Sequence, residues 1–330
     1  MLGVTSWSTL KADTPPTQRG TEWLVALLQI PRCRMHSFRT ETLTTSDGVA
    51  LCVFDRPGPS PDAPALLLSN GLGGNLQTWR HLVAAVGDRF RVLSWDYRGL
   101  YGSRLTPEQR GAVALDVSAH ARDAEAVLAW AGVKEAVLVG WSMGVQLNFE
   151  LVRRAPSCAL AIIAMSGGYG QTLSRTIAGP WGERAIRPGL DVFRALMDAL
   201  GPRLGRRGRW LIHGAKTLRL VHPNVDVEVF HDLLTDYMNL DFESYTEILG
   251  ALGDHDAEAV LSTLNCPVLI VSGDRDPMTP DALSSHMAAM IPDAELMIVP
   301  GGTHYVPVEF PQEINQRIVA FLGEKLPAAA

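Results

Sequence analysis

The chain has 330 residues, 47% hydrophobic and 19% charged, with a formal net charge of −6. That length holds one large α/β domain or two smaller ones, around a core that needs no disulfide or metal staple. The acidic balance excludes the basic footprint of a nucleic-acid binder, and the ordinary apolar share excludes a disordered chain.

Residues Met1 to Gly20 are polar and carry a Pro-Pro pair, which predicts a loose N-terminal extension over 1–37. Within it, Thr21–Ile30 predicts a short amphipathic helix stopped by Pro31, packed on the body or touching a membrane. The start lacks the basic residues and sustained apolar stretch of a secretory signal. No apolar run approaches the ~18–20 residues that span a bilayer, so a soluble, cytoplasmic protein is expected.

From Phe38 onward, short apolar runs alternate with helical patterns. The runs Phe38–Thr45, Val49–Phe54, Ala65–Ser69, Val92–Trp95, Ala136–Val139, Ala159–Met165, Val268–Ser272 and Leu296–Val299 predict strands. Most lack polar alternation, as strands covered on both faces do. The first two flank Ser46-Asp47-Gly48 and predict a hairpin; the others read as βαβ units of a parallel sheet. Between Gly168 and Ala257 the patterns are helical only. A helical insertion there sits at the carboxyl edge of the sheet, where ligands of such sheets bind. This divides the chain into a core over 38–168 and 257–330 and a helical cap over 169–256.

Gly140-Trp-Ser142-Met-Gly144 stands between a predicted strand and a predicted helix over Ser142–Arg154. A serine on such a turn is pushed clear of the backbone, and the helix offers free N–H groups to a developing oxyanion. The serine needs a base and a group to orient that base, in the chain order Ser, acid, His. Val268-Leu-Ile-Val-Ser-Gly273-Asp274-Arg-Asp276 ends a strand in an acidic loop, and Gly301-Gly-Thr-His304 follows the last strand. Ser142, Asp276 and His304 are the predicted triad. Asp276 is preferred to Asp274 because it lies deeper in its loop. For the oxyanion hole, Asn70-Gly71-Leu72-Gly73-Gly74 after the third strand offers Leu72 N–H to pair with Met143 N–H. The other eight histidines lack metal-ligand spacing. The four cysteines, at 33, 52, 158 and 266, form no C-x-x-C pair, so zinc and thioredoxin-like readings fail and no metal is expected. Free thiols fit that scatter, with a Cys33–Cys52 bridge the alternative.

With Asn70-Gly-Leu-Gly-Gly, Trp95-Asp-Tyr-Arg-Gly-Leu-Tyr-Gly-Ser103, Gly140-Trp-Ser-Met-Gly, Gly273-Asp-Arg-Asp276 and Gly302-Thr-His304, the sequence from Phe38 to Leu322 resembles the α/β-hydrolase family. The resemblance implies an eight-stranded, mostly parallel sheet with helices on both faces and a helical cap after the sixth strand. It also implies hydrolysis of carboxylic esters, thioesters, lactones or amides without a cofactor. Three departures stand out. Asn70 replaces the usual histidine of the oxyanion turn, as in intracellular polyester depolymerases. The usual D-x-R-G-x-G-x-S is shifted across Asp96–Ser103, and Val145 replaces a second glycine after the serine. Ser142 argues against the aspartate-nucleophile epoxide hydrolases and haloalkane dehalogenases of this fold.

For the substrate pocket the candidates are Trp141, Phe193, Trp210, Phe230 and Tyr305, with Met197, Leu211, Tyr237 and Met238 as further apolar cap residues. They line an acyl pocket or only glue the cap down. Arg203, Arg206, Arg207, Arg209, Lys216 and Arg219 read as a solvated helix face or as a contact for an anionic substrate or membrane. The expected function is cleavage of a small, largely apolar ester through an acyl-enzyme. The alternatives are C–C bond hydrolysis, perhydrolysis with peroxide as acceptor, polyester depolymerisation, and a binder that keeps the fold without turnover.

Overall fold

The computed structural model describes residues 37–87, 89–171, 179–205 and 208–326. Residues 1–36 of the predicted extension over 1–37, with the helix Thr21–Ile30 and Cys33, lie outside them, as do Arg206 and Arg207. Among the described residues Cys52, Cys158 and Cys266 are free thiols.

Eight strands form one sheet: β1 (Arg39–Thr44), β2 (Ala50–Arg56), β3 (Ala65–Ser69), β4 (Arg91–Trp95), β5 (Ala136–Trp141), β6 (Ala159–Met165), β7 (Val268–Gly273) and β8 (Ala294–Val299). Their order is β1-β2-β4-β3-β5-β6-β7-β8. β1, β2 and β4 pair antiparallel, and every pairing from β4 to β8 is parallel. The β1–β2 hairpin turns at Gly48, whose φ of +83° suits a residue without a Cβ.

Side chains alternate across a strand, so an unbroken apolar run feeds two cores. Leu67, Leu93, Leu138, Ile162 and Ile270 share one face with α2 (Val117–Trp130) and α3 (Met143–Arg154). Leu66, Leu68, Val137, Val139, Ile163 and Leu269 share the other with α1 (Arg80–Val86) and α11 (Pro311–Lys325). β3, β5 and β7 are buried along their whole length. The sheet edge β1, with its threonines and charges, is mostly exposed instead.

Between β6 and β7 lie α4 (Gly179–Gly205), α5 (Gly208–Thr217), α6 (Val227–Tyr237), α7 (Phe242–Asp254) and the single turn α8 (Glu258–Leu261). The chain enters and leaves this insertion side by side. Gln171 N–H donates to His255 O at 2.7 Å and Ala257 N–H to Tyr169 O at 2.8 Å. Asp226 and Asp241 start α6 and α7 by accepting first-turn N–H groups. α9 (Asp281–Met290) links β7 to β8, and α10 (Val306–Glu309) precedes α11. No described helix is long and apolar enough to cross a membrane.

Candidate active site

Because β3, β5, β7 and β8 are parallel, the loops leaving their carboxyl ends meet on one edge of the sheet. Ser142 occupies the turn from β5 to α3 at φ +55°, ψ −118°. That backbone is strained for an L-residue and holds Oγ clear of the chain. The turn exists only because its neighbours are small. A Cβ on Gly140 would lie 2.6 Å from the Gly144 carbonyl, and one on Gly144 would run into Ser69 O.

Ser142 Oγ is 2.8 Å from His304 Nε2, and His304 Nδ1 is 2.9 Å from Asp276 Oδ2. Asp276 is almost fully buried, yet every oxygen it has is used. Oδ1 accepts the N–H groups of Met278 and Thr279 at 2.8 and 2.9 Å, and Oδ2 accepts the Thr279 hydroxyl at 2.7 Å. Burial pushes the Asp276 carboxyl up, but the bond and charge of His304 and the two Thr279 donors outweigh it, and it stays below the usual range. Asp274 points elsewhere: its Oδ1 accepts Gly301 N–H at 2.7 Å and fastens the β7 loop to the β8 loop.

Leu72 borders the space over Ser142, Met143 follows Ser142 as the first residue of α3, and among the described residues neither backbone N–H has a protein acceptor. The turn carrying Leu72 is held from several sides. Asn70 Nδ2 donates to Trp95 O at 3.1 Å, and its Oδ1 accepts from Trp79 Nε1 at 2.7 Å. Tyr97 and Tyr101 hydroxyls donate to the carbonyls of Asn70 and Gly73, each at 2.5 Å. The asparagine that departs from the family pattern is thus a scaffold residue, and the shifted Asp96–Ser103 segment braces the Asn70–Gly74 turn.

Trp141 does more than wall the site. Its indole N–H donates to His304 O at 2.8 Å, and its ring fills the space that Cβ atoms on Gly71 and Gly74 would need. Sequence reasoning also missed Glu309. Its carboxylate accepts the N–H and hydroxyl of Thr303 at 2.8 and 2.6 Å and the His222 N–H at 2.7 Å. It thereby pins the residue before His304 and ties the insertion to the core. Gly167 was missed as well: a Cβ there would run into the Val145 side chain, so its absence makes room for that departure from the family pattern.

A cavity of about 320 Å³ opens over Ser142. Its floor is Gly71–Gly74, Trp141, Ser142, Thr279, His304 and Tyr305; its roof is Phe230, Leu233, Leu234, Tyr237, Tyr245, Leu249 and Leu252, with Met278 at the side. Of the predicted pocket residues, Trp141, Phe230 and Tyr305 line it and two do not. Trp210 is 81% exposed. Trp210 and Ile212 lie on opposite sides of a helix that turns 100° per residue, and Ile212 takes the inward position. Phe193 packs behind the roof, edge-on to Phe242 at 5.8 Å between ring centroids. Among the described residues no group of three or more His, Cys, Asp or Glu side chains could hold a metal ion.

The sequence profile described as "Alpha/beta hydrolase family" matches residues 66–317. The chain belongs to the alpha/beta hydrolase family. Relatives of this hydrolase-family chain include a putative carbamate hydrolase, RutD, of Klebsiella pneumoniae, 27% identical over 276 residues that span 83% of this chain and 96% of that protein. A hydrolase from Pseudomonas aeruginosa superposes with a TM-score of 0.68 at 24% identity, covering 86% of this chain and 98% of that one. A thermophilic esterase from Thermogutta terrifontis does so at 0.67 and 22%, covering 88% and 100%. At those identities the two structures speak for the fold alone.

Proposed function

We propose that this alpha/beta hydrolase cleaves carboxylic esters of small, largely apolar substrates through an acyl-enzyme formed on Ser142. The observation that carries the reading is the unbroken chain from Ser142 Oγ through His304 to Asp276, at 2.8 and 2.9 Å, under an apolar cavity. Ser142 Oγ attacks the ester carbonyl while His304 Nε2 takes its proton. Asp276 holds His304 with Nδ1 protonated and stabilises the imidazolium. The carbonyl oxygen becomes an oxyanion between the N–H groups of Leu72 and Met143, each typically worth about 3–4 kcal/mol of barrier. His304 returns the proton to the leaving alcohol, which departs and leaves the acyl group on Ser142. Water, deprotonated by His304, then attacks the acyl carbon and releases the acid.

A second reading rests on the name of the relatives. The same steps applied to a carbamate give a carbamyl-enzyme, and a relative matched over 96% of its length is called a putative carbamate hydrolase. The roof of Phe230, Tyr237, Tyr245 and leucines favours an apolar or aryl acyl group over a small polar one.

The test is labelling with a fluorophosphonate, followed by turnover of nitrophenyl esters of increasing chain length and of a nitrophenyl carbamate. Labelling confined to Ser142, with ester turnover absent from Ser142→Ala, is expected. No labelling of the folded protein, or equal turnover by Ser142→Ala, would refute the serine mechanism. Preference for the carbamate over every ester would replace the first reading with the second.

A further inference from the structure

The outer side of the helical insertion carries a chemistry that the cavity does not use. α4 turns Phe193 and Met197 toward the body, where Phe193 meets Phe242 and Tyr245 on α7. Val192, Leu196 and Leu200 on the same helix recur at i, i+4 and i+8 and are 71%, 52% and 40% exposed. α5 repeats the arrangement, with Ile212 buried in the cluster beneath α6 and Trp210 turned out. The turn that ends α5 then presents Leu218 and Leu220, 72% and 56% exposed, on either side of Arg219. Arg219 sits at φ +57°, a strained position for a residue with a Cβ. Leu220 N–H closes the turn on Ala215 O at 2.9 Å, but its side chain is left outside rather than folded onto the helix as at most such ends. Soluble monomers rarely leave so many large apolar side chains together in water.

Charge indicates what this face fits. From Ala199 to Val225 the sequence contains no Asp or Glu, although the whole chain has a net charge of −6; of the two exposed aspartates beside the α4 leucines, Asp191 lies 3.9 Å from Arg194 and Asp198 immediately precedes that window. Arg203, Arg209, Lys216 and Arg219 are interspersed in sequence with the exposed Trp210, Leu218 and Leu220 and follow Leu200. A nucleic acid would use the cations and leave the leucines in water; a hydrophobic protein partner would bury the leucines and gain little from the cations. An anionic bilayer satisfies both, with apolar side chains entering the boundary of headgroups and acyl chains while the basic residues stay among phosphates. We propose that the outer face of α4, α5 and the Leu218–Leu220 turn docks on anionic lipid bilayers. The same insertion roofs the cavity over Ser142, so docking places that roof against the source of apolar esters. This last point rests on the hydrolase reading; the docking itself does not.

The experiment is co-sedimentation of the full-length protein with vesicles of phosphatidylcholine alone or containing ~30% phosphatidylglycerol. Partition onto the anionic vesicles, weakened by high salt and nearly absent from phosphatidylcholine, is expected. Arg209→Gln and Arg219→Gln should each lower the partition coefficient about fivefold, following a contribution of about 1 kcal/mol per basic residue near the surface. Trp210→Ala should lower it with no change in salt dependence. Retained labelling of Ser142 by a fluorophosphonate and an unchanged melting temperature show that the variants are folded. No sedimentation with anionic vesicles would overturn the proposal, as would equal partition onto both lipids or parental partition of the three variants. So would a concentration-dependent dimer that Trp210→Ala abolishes, because a second copy would then occupy the face. Lipid partition is measured without turnover, so an inactive protein that docks leaves the proposal standing, and an active one that does not dock refutes it.

Discussion

Asp96 offers a test of how the loop that braces the Asn70–Gly74 turn is supported. It follows β4 and is almost fully buried, and its Oδ2 accepts Gly102 N–H at 3.0 Å. Burial pushes its carboxyl up to about 7; the Gly102 donor pulls it down, and the charge of Asp236 on α6 pushes it up again. A carboxyl raised in the folded state binds its proton more tightly there than in the unfolded chain, whose value is near 3.8. The stability gained from protonation is therefore full below pH ~4 and lost as the pH rises through ~7. Between pH 5 and pH 8 the loss is on the order of 3 kcal/mol, taking 1.36 kcal/mol per pKa unit.

Asp96→Asn is neutral at every pH, and its Oδ1 can still accept Gly102 N–H. Urea unfolding of both proteins at pH 5 and pH 8 isolates Asp96, because every other titrating group is common to the pair. The variant should gain on the order of 3 kcal/mol on the wild type between the two pH values. A difference that does not move with pH, or that moves in the wild type's favour, would show that Asp96 does not stay protonated in the fold.

The other expectations concern the site directly. Ser142→Ala and His304→Ala should each lower kcat by roughly 10⁵–10⁶, and the double variant no further, because the two groups act as one unit; additive losses would contradict the proposed mechanism. Trp141→Phe removes the donor to His304 O and leaves a buried carbonyl unpaired, at a cost of about 1–3 kcal/mol. In steady-state kinetics kcat should fall more than KM rises; an unchanged kcat would show that Trp141 does not position His304. Gly167→Ala should destabilise by about 1–3 kcal/mol through collision with Val145, and adding Val145→Gly should recover part of it. A double-mutant cycle in urea with no coupling between 145 and 167 would rule out that explanation.

Strands were legible wherever burial on both faces forced an unbroken apolar run, and Ala65–Ser69 and Ala159–Met165 have the same bounds in sequence and structure. The edges were less legible. β8 begins at Ala294, before its apolar run, because Glu295 on an edge strand can reach Arg317 at the surface. β5 runs on through Gly140 and Trp141, where a glycine would ordinarily signal a turn. Gly140 is there for the backbone that passes over it, a tertiary fact that no local pattern carries. In α5, Trp210, Leu211 and Ile212 are consecutive, and only packing decides which of three apolar neighbours faces inward.

The candidate site divides along the same line. Ser142, Asp276 and His304 could be named because each follows a strand, and parallel strands bring the loops after them to one edge. The groups that hold those loops still come from elsewhere in the chain and carry no motif. Glu309 lies five residues past His304, on the turn α10, and reaches back to Thr303. Tyr97 and Tyr101 fix the carbonyls of the Leu72 turn from a loop after a different strand. The Asp96–Ser103 segment departs from its family pattern, yet both tyrosines within it support the position of Leu72 N–H. A shifted motif therefore marks here a relocated support for the Asn70–Gly74 turn. The same logic explains Val145, tolerated three residues past Ser142 because Gly167, on the strand exit next door, gives up the volume that a glycine at 145 would have supplied.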